Sequence, residues 1–199
     1  MNPIIQFFSS HVILLIGFSF LMGSIPVAML VSRFYKVDLR QVGSGNFGST
    51  NVYRALGLRV AGLVFVFDFM KGALPTWLSL SHEYPVIHIL VGGMAVLGHT
   101  ISPFAGFKGG KGAATGLGVL ATLCYEPFLI LSIMAAGLIM TTRTVSIATI
   151  ICVIACPLLI AWWHYPSAYV MGTGLVSLVI LIRHIPNIRR LIQGSENKL

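Results

Sequence analysis

The chain has 199 residues, of which 56% are hydrophobic and only 9% are charged, and its formal net charge is +8 at pH 7. A water-soluble globular domain is excluded, because such domains carry about 25% charged residues. We therefore predict one all-α integral membrane domain over residues 1–199, whose positive charge faces lipid headgroups or anionic substrates and not nucleic acid.

Apolar segments follow one another along the whole chain, and we predict about seven transmembrane helices, some of them short. The first is expected to be retained, since it lacks the basic start of a signal peptide. We expect Gly23 to Pro26 to kink it. The segment 113–142 is read as two short spans broken at Glu126-Pro127, with a re-entrant hairpin as the alternative. The predicted spans are residues 11–32, 59–80, 85–101, the two parts of 113–142, 145–163 and 167–182.

The basic residues of the connecting segments all fall on one side of this arrangement. By the positive-inside rule that side is cytoplasmic, which predicts an outside N-terminus and a cytoplasmic C-terminus. These residues are Arg33, Lys36, Arg40, Arg54, Arg59, Lys108, Lys111, Arg143, Arg183, Arg189, Arg190 and Lys198.

The first polar connection, residues 33–58, contains small residues with hydroxyl and amide donors, followed by an arginine. Such groups are suited to hold a phosphate, and the guanidinium of Arg54 is suited to a bidentate contact. The alternative is an ordinary polar loop that caps the next helix. The expected binding residues here are Gly43, Ser44, Gly45, Asn46, Thr50 and Asn51.

The second connection, SPFAGFKGGKGAATGLG at 102–118, places glycines and two lysines between two apolar segments. Backbone N–H groups freed of Cβ atoms, together with a helix start at 113, are expected to bind an anion. The alternative is a glycine-rich membrane turn with cytoplasmic lysines. Ala105 and Gly112 occupy positions that exclude a P-loop. The expected phosphate-binding residues are Lys108, Gly109, Gly110, Lys111, Gly112 and Thr115.

A third polar segment follows the last span. His184 is a candidate proton acceptor or phosphate ligand, and Asn187 lies three residues later, with Pro186 marking a restarted helix. Within the second span, Asp68 and Lys71 are spaced i and i+3; we expect a structural pair, with an ion or proton path as the alternative.

Metal ligands and cofactor motifs are scarce. The chain has five acidic residues, no His or Cys cluster at ligand spacing and three cysteines in apolar runs. We therefore predict neither a catalytic metal nor a cofactor. His88, His99 and His164 lie at or near span ends and are assigned no chemistry.

The motifs together closely resemble those of the bacterial PlsY family of membrane acyl-phosphate:glycerol-3-phosphate acyltransferases. They are GSIP at 23–26, GSGNFGSTN…R at 43–54, DFMKG at 68–72, GHT…F…GFKGGKGAAT at 98–115 and RHIPNIRRL…GSE at 183–196. The resemblance covers nearly the whole chain. It implies transfer of an acyl group from acyl-phosphate to the 1-hydroxyl of glycerol 3-phosphate, which yields lysophosphatidic acid and inorganic phosphate and begins phospholipid synthesis.

The resemblance also implies roles for matched residues. Ser44 and Arg54 match first-motif residues needed for activity, residues 106–112 match the phosphate-binding second motif, and His184 with Asn187 match the third. Glu196 matches a structural glutamate. We add Lys111 to the expected catalytic residues for its charge.

Acyl-phosphate is already activated, so positioning and charge neutralisation are expected to carry much of the catalysis without a covalent nucleophile. We expect direct attack by the glycerol hydroxyl, with its proton passing to a substrate phosphate or to His184. The rival hypothesis is a small transporter of an anionic metabolite that uses Asp68 and Lys71 for coupling. Which loop holds which phosphate, the acyl-chain preference and the oligomeric state are left open.

Overall fold

A computed structural model describes residues 10–199, and the regular structure in that part of the chain is helical. The expectation that the N-terminal residues are retained falls partly on residues 1–9, outside the described part. The α-helices are α1 (Ser10–Ser24), α2 (Val27–Phe34), α3 (Ser49–Leu56), α4 (Leu58–Ser79), α5 (Pro85–Thr100), α6 (Ala113–Leu123), α7 (Tyr125–Thr142), α8 (Val145–Trp162), α9 (Ser167–Arg183) and α10 (Ile185–Ile192).

The prediction of seven spans is wrong, because too few helices in the described part of the chain are long and apolar enough to cross a membrane. Within residues 10–199, four stretches qualify as candidate membrane spans, or five if the pair α9 and α10, bent by 56°, counts as one. The second predicted span, α4, contains Asp68 and Lys71, which lower its hydropathy. At 11 residues α6 is too short to cross a bilayer core of about 30 Å at about 1.5 Å per residue.

The sequence predicts two breaks in the helices, and the structure confirms the position of the first but not of the second. The chain breaks between Ser24 and Val27, as the glycine and Pro26 predict. The second break lies at Cys124 and not at Glu126-Pro127. Pro127 instead occupies the first turn of α7, where its missing N–H removes no helical hydrogen bond.

Glycines allow two helix pairs to touch backbone to backbone. Between α4 and α6, a Cβ on Gly72 would lie 2.0 Å from the carbonyl oxygen of Thr115, and a Cβ on Gly118 would lie 2.1 Å from that of Phe69. Helices α1 and α5 meet in the same way at Gly23 and Gly98. Close approach at small residues is the usual contact between membrane helices, and here it holds α6 directly against α4.

The first polar connection is more ordered than predicted, since its second half forms helix α3, which packs against α4. Val52 is fully buried in an apolar cluster with Val64, and this contact anchors α3. Thr50 and Arg54, four residues apart, therefore lie on one face of a helix and not on a free loop.

Candidate functional site

The three polar segments converge on one cavity of about 90 Å³. The first segment, the start of α6 and the C-terminal segment all contribute to its wall. Arg54, Lys111 and Asn187, far apart in sequence, thus face one space. The lining residues are Ser44, Asn46, Gly48, Ser49, Thr50, Asn51, Arg54, Asp68, His99, Lys111, Gly112, Ala113, Ala114, Val145, Ser146, Thr149, His184, Asn187 and Glu196.

Asn51 organises the first segment. Its Oδ1 accepts a hydrogen bond from the backbone N–H of Ser44 at 3.1 Å, and its Nδ2 donates to the carbonyl of Leu39 at 2.9 Å. Gly43 has φ of 52°, and a Cβ there would lie 2.7 Å from Asn51 Oδ1 and 2.9 Å from Arg54 Cδ. Glycine is therefore required for the turn and for the position of Arg54.

Arg54 has a side-chain N–H group that is still able to donate a hydrogen bond to a ligand. Its Nη2 donates to the carbonyl of Asn197 at 3.0 Å, whereas its Nε is buried and has no partner among residues 10–199. Burial lowers the pKa of Arg54; Glu196 opposes the shift and Arg190 adds to it. A half-buried guanidinium with an unpaired N–H is suited to bind an anion.

The glycine loop does not form the anion nest that its composition predicts. The N–H of Gly109 donates to Thr100 at 3.2 Å and that of Gly110 to His99 at 3.1 Å, so both are consumed at the end of α5. Arg183 donates to the carbonyl of Gly109 at 2.9 Å and holds the loop from the other side. These glycines serve close packing, since a Cβ on Gly109 would lie 2.0 Å from the carbonyl oxygen of His99.

The free N–H groups lie one step later, where α6 begins after Gly112, whose φ is 86°. Residues 111–115 donate no backbone hydrogen bond within the described chain, and Lys111, Gly112, Ala113 and Ala114 line the cavity. A helix N-terminus attracts anions through its N–H groups and dipole. The predicted helix-start interaction is thus available, but the preceding glycines do not add to it.

Lys111 lies at the edge of this helix start. Its Nζ donates to Oδ1 of Asn187 at 2.7 Å. Burial lowers its pKa to about 8, against the attraction of Glu196, and the neighbouring arginines lower it further. A charged Lys111 therefore lacks sufficient negative charge around it until an anion binds.

The C-terminal segment places its polar side chains through a sharp bend at His184, where α9 ends and α10 begins. Pro186 lies in the first turn of α10, as its sequence position predicts. His184 Nδ1 donates to the carbonyl of Ile180 at 2.8 Å, since a carbonyl oxygen can only accept. Neutral His184 therefore carries its lone pair on Nε2.

Glu196 ties the C-terminal residues to the site. Its Oε1 accepts from Asn187 Nδ2 at 2.6 Å and from Ser146 Oγ at 2.9 Å, and its Oε2 accepts from Arg190 at 2.7 Å. Burial raises the pKa of Glu196, but these hydrogen bonds outweigh it and lower the pKa overall. The carboxylate thus stays ionised and orients Asn187 towards Lys111.

Some predicted site residues lie elsewhere. Lys108, Gly109 and Gly110 line a smaller cavity behind the loop, and Thr115 is fully buried. Gly43 and Gly45 do not line the main cavity. Conversely, sequence reasoning missed His99 and Ser146, which do line it. The GHT motif at 98–100 was the available signal for His99, and no motif pointed to Ser146.

Asp68 and Lys71 form the ion pair that their spacing predicts, with Lys71 Nζ 2.6 Å from Asp68 Oδ1 and both side chains buried. Asp68 also lines the cavity. Among residues 10–199, no group of three or more His, Cys, Asp or Glu side chains is arranged to hold a metal ion.

An apolar cavity of about 630 Å³ adjoins the polar one. It lies between α4, α6, α7, α8 and α9, and its walls include Phe69, Phe128 and Ile180. The two cavities share the wall formed by Ser49, Thr50, Ala113, Ala114, Val145 and Thr149. A polar and an apolar compartment therefore meet at the start of α6.

Comparison with known proteins identifies similar chains. The family model described as glycerol-3-phosphate acyltransferase matches residues 13–194. A glycerol-3-phosphate acyltransferase of Shouchella clausii is 37% identical, covering 92% of this chain and 93% of its own. One of Endomicrobium trichonymphae is 41% identical, with 94% and 95% covered.

Two solved structures are also similar to this chain. The crystal structure of PlsY, an integral membrane glycerol 3-phosphate acyltransferase, in its glycerol 3-phosphate form matches with a TM-score of 0.92 at 36% identity, covering 96% of each chain. Its lysophosphatidic acid form matches with a TM-score of 0.89 at 34% identity, again over 96% of each chain.

Proposed function

Since this chain belongs to the glycerol-3-phosphate acyltransferase family, we propose that it transfers a fatty acyl group from acyl-phosphate to the 1-hydroxyl of glycerol 3-phosphate. The products are lysophosphatidic acid and inorganic phosphate, as in the first step of phospholipid synthesis. We further propose that the site faces the cytoplasm at a bacterial inner membrane.

The observation that carries the proposal is the junction of the two cavities. Arg54, Lys111 and the start of α6 offer cationic and N–H donors to phosphate groups in the polar cavity. The apolar cavity, of a volume typical of small-molecule sites, suits a fatty chain. A substrate that carries both a phosphate and a tail would place its acyl carbonyl at the shared wall, next to Thr50 and Ala113.

The chemistry then requires little from the protein beyond position and charge. The glycerol oxygen forms a bond to the acyl carbon, the bond from that carbon to the phosphate oxygen breaks, and inorganic phosphate leaves. Negative charge develops on the carbonyl and phosphate oxygens, where Arg54, Lys111 and the N–H groups of α6 stabilise it. No covalent acyl-enzyme is needed.

The proton of the attacking hydroxyl passes to His184 or to a substrate phosphate. His184 suits the role because its Nδ1–H is bound to Ile180, which leaves Nε2 as an acceptor in the cavity. His184→Gln tests the assignment through the dependence of turnover on pH. Near-normal turnover would exclude His184 as the base and leave the phosphate.

The decisive experiment uses purified protein in detergent. Inorganic phosphate should be released, and lysophosphatidic acid formed, only when acyl-phosphate and glycerol 3-phosphate are both present. Acyl-coenzyme A in place of acyl-phosphate should give no product. Product formation from acyl-coenzyme A, or none from acyl-phosphate, would contradict the proposed donor.

Charge-matched variants connect the activity to the cavity. Lys111→Ala should lower kcat/KM by roughly 10- to 100-fold, the effect of losing a hydrogen bond to a charged group. Arg59→Ala removes an exposed cation outside both cavities and should leave activity unchanged. Equal losses in the two variants would indicate a general effect of surface charge.

The transporter hypothesis is tested with the same protein in sealed vesicles. A transporter would move intact glycerol 3-phosphate across the membrane without acyl-phosphate. The acyltransferase proposal predicts conversion and no such flux.

A further inference from the structure

We propose that His99 is a further substrate-binding residue, whose Nε2–H donates a hydrogen bond to a substrate phosphate oxygen while the buried Asp68–Lys71 pair fixes its tautomer. The inference rests on the proposed function, because it requires a phosphate in the polar cavity. His99 lies in the last turn of α5, is 8% exposed and lies between that cavity and the smaller one behind the glycine loop, since it lines both.

Three acceptors surround the ammonium group of Lys71. Its Nζ lies 2.6 Å from Asp68 Oδ1, 2.6 Å from the carbonyl oxygen of Ile25 and 3.5 Å from His99 Nδ1. The carbonyl of Ile25 is available because the helix breaks there before Pro26. The contact with Asp68 Oδ1 is an ion pair by distance, since that oxygen has no hydrogen-bond partner among residues 10–199, and the N–H donors of Lys71 are directed to Ile25 and to His99.

This arrangement decides which nitrogen of His99 carries the proton. Neutral His99 accepts from Lys71 at Nδ1, which places its hydrogen on Nε2. Protonated His99 carries a hydrogen on both nitrogens. Only a neutral ring with its hydrogen on Nδ1 would leave Nε2 bare, and that hydrogen would point at the ammonium of Lys71. Asp68 Oδ1, at 3.7 Å from Nδ1, is beyond hydrogen-bond distance and does not favour that form.

The Nε2–H of His99 has no acceptor within residues 10–199. It lies against the glycine loop, since a Cβ on Gly110 would come within 2.2 Å of it. His99 Nε2 is not among the fully enclosed side-chain atoms that lack a partner in residues 10–199, so this N–H keeps access to a ligand, and a phosphate oxygen in the cavity can accept from it. The two cavity histidines thus have complementary roles, with Nε2 of His184 as an acceptor and Nε2 of His99 as a donor.

The phosphate oxygen can come from acyl-phosphate or from glycerol 3-phosphate. Either oxygen accepts a hydrogen bond and carries negative charge, so both satisfy the geometry. The KM values of the two substrates distinguish them. A higher KM for one substrate in a His99 variant identifies that substrate's phosphate as the acceptor.

The test compares His99→Met with His99→Gln. Methionine fills a similar space without a donor, whereas glutamine offers an oxygen to Lys71 and an N–H to the cavity. We expect His99→Met to lower kcat/KM about 10- to 100-fold, with a raised KM for at least one phosphate substrate. His99→Gln should recover most of that loss. Values for His99→Met within about threefold of wild type, or equal losses in both variants, would overturn the proposal.

His88→Met is the matched control. His88 is 7% exposed, and both of its nitrogens are bound within the protein, Nδ1 to Tyr169 Oη at 2.6 Å and Nε2 to the carbonyl of His82 at 2.9 Å. It lines neither cavity of the site. This variant should lose stability and keep both KM values. A rise in KM equal to that of His99→Met would attribute the effect to loosened packing and refute the donor role.

A measurement on the wild-type protein decides the matter if the variants fail to fold. ¹⁵N-histidine spectra in bilayers report the tautomer of each ring. We expect one cavity histidine, His99, with a protonated Nε2 that shifts on addition of inorganic phosphate, and a second, His184, protonated on Nδ1. An unprotonated Nε2 on His99, or no shift at saturating phosphate, would refute the inference. The phosphate-release assay on wild type tests the proposed function separately, so the two failures are distinguishable.

Discussion

The pKa of Lys111 leads to a specific prediction for the pH dependence of activity. Burial disfavours the ammonium form and lowers the pKa to about 8 in the ligand-free protein. Only the charged form attracts a phosphate, so kcat/KM should be level below pH 8 and should fall above it. At pH 9 about one tenth of Lys111 is protonated, which corresponds to a tenfold loss, or about 1.4 kcal/mol.

A bound phosphate adds the negative charge that the empty site lacks, and it therefore raises the pKa of Lys111 in the complex. The profile of kcat, which reports the complex, should break at a higher pH than that of kcat/KM, which reports the free enzyme. Phosphate monoesters have a second pKa of about 6, so the charge of glycerol 3-phosphate is constant across this range.

The assay is initial-rate phosphate release from pH 7 to 10, corrected for spontaneous hydrolysis of acyl-phosphate. Lys111→Arg keeps the charge with a pKa above 12, so it should abolish the break near pH 8 even if its rate is lower overall. A break at the same pH in the arginine variant would assign the titration to another group and refute the reasoning.

Further variants test the remaining contacts. Arg54→Lys should lower kcat/KM roughly 10-fold or more, because an ammonium lacks the planar fork that binds phosphate in a bidentate way, and steady-state kinetics would measure it. Glu196→Ala should lower activity more than Glu196→Gln, since the amide oxygen still accepts from Asn187; equal losses would show that the charge alone matters. Gly118→Ala should destabilise the protein by about 1–3 kcal/mol through the clash between α6 and α4, whereas Gly137→Ala, with nothing within 4 Å of its Cβ, should not; unfolding in detergent compares them.

Spacing and composition along the chain correctly predicted the features that are set within a single helix. Asp68 and Lys71 pair because three residues bring side chains to one face of any helix. The break at Pro26 and the restart at Pro186 follow from a ring that cannot donate a hydrogen bond. The predicted number of spans was wrong because the short length of α6 and the burial of charged residues in α4 depend on packing against other helices.

The site shows the same division. Sequence motifs named Arg54, Lys111, His184 and Asn187, and the structure brings all four to one cavity. Sequence could not show that the N–H of Gly110 would be consumed by a carbonyl of α5, because glycine content measures freedom of the backbone and not the partners that it finds.

By itself the sequence determined a membrane-embedded helical chain with cationic polar segments, since burial of apolar surface and the local rules of helices need no knowledge of distant contacts. The tertiary structure alone decided that His99 meets Lys71 and Asp68, and that the polar cavity opens onto an apolar one. Those contacts join residues from separate helices, and their distances are set by how closely glycine-lined helices pack.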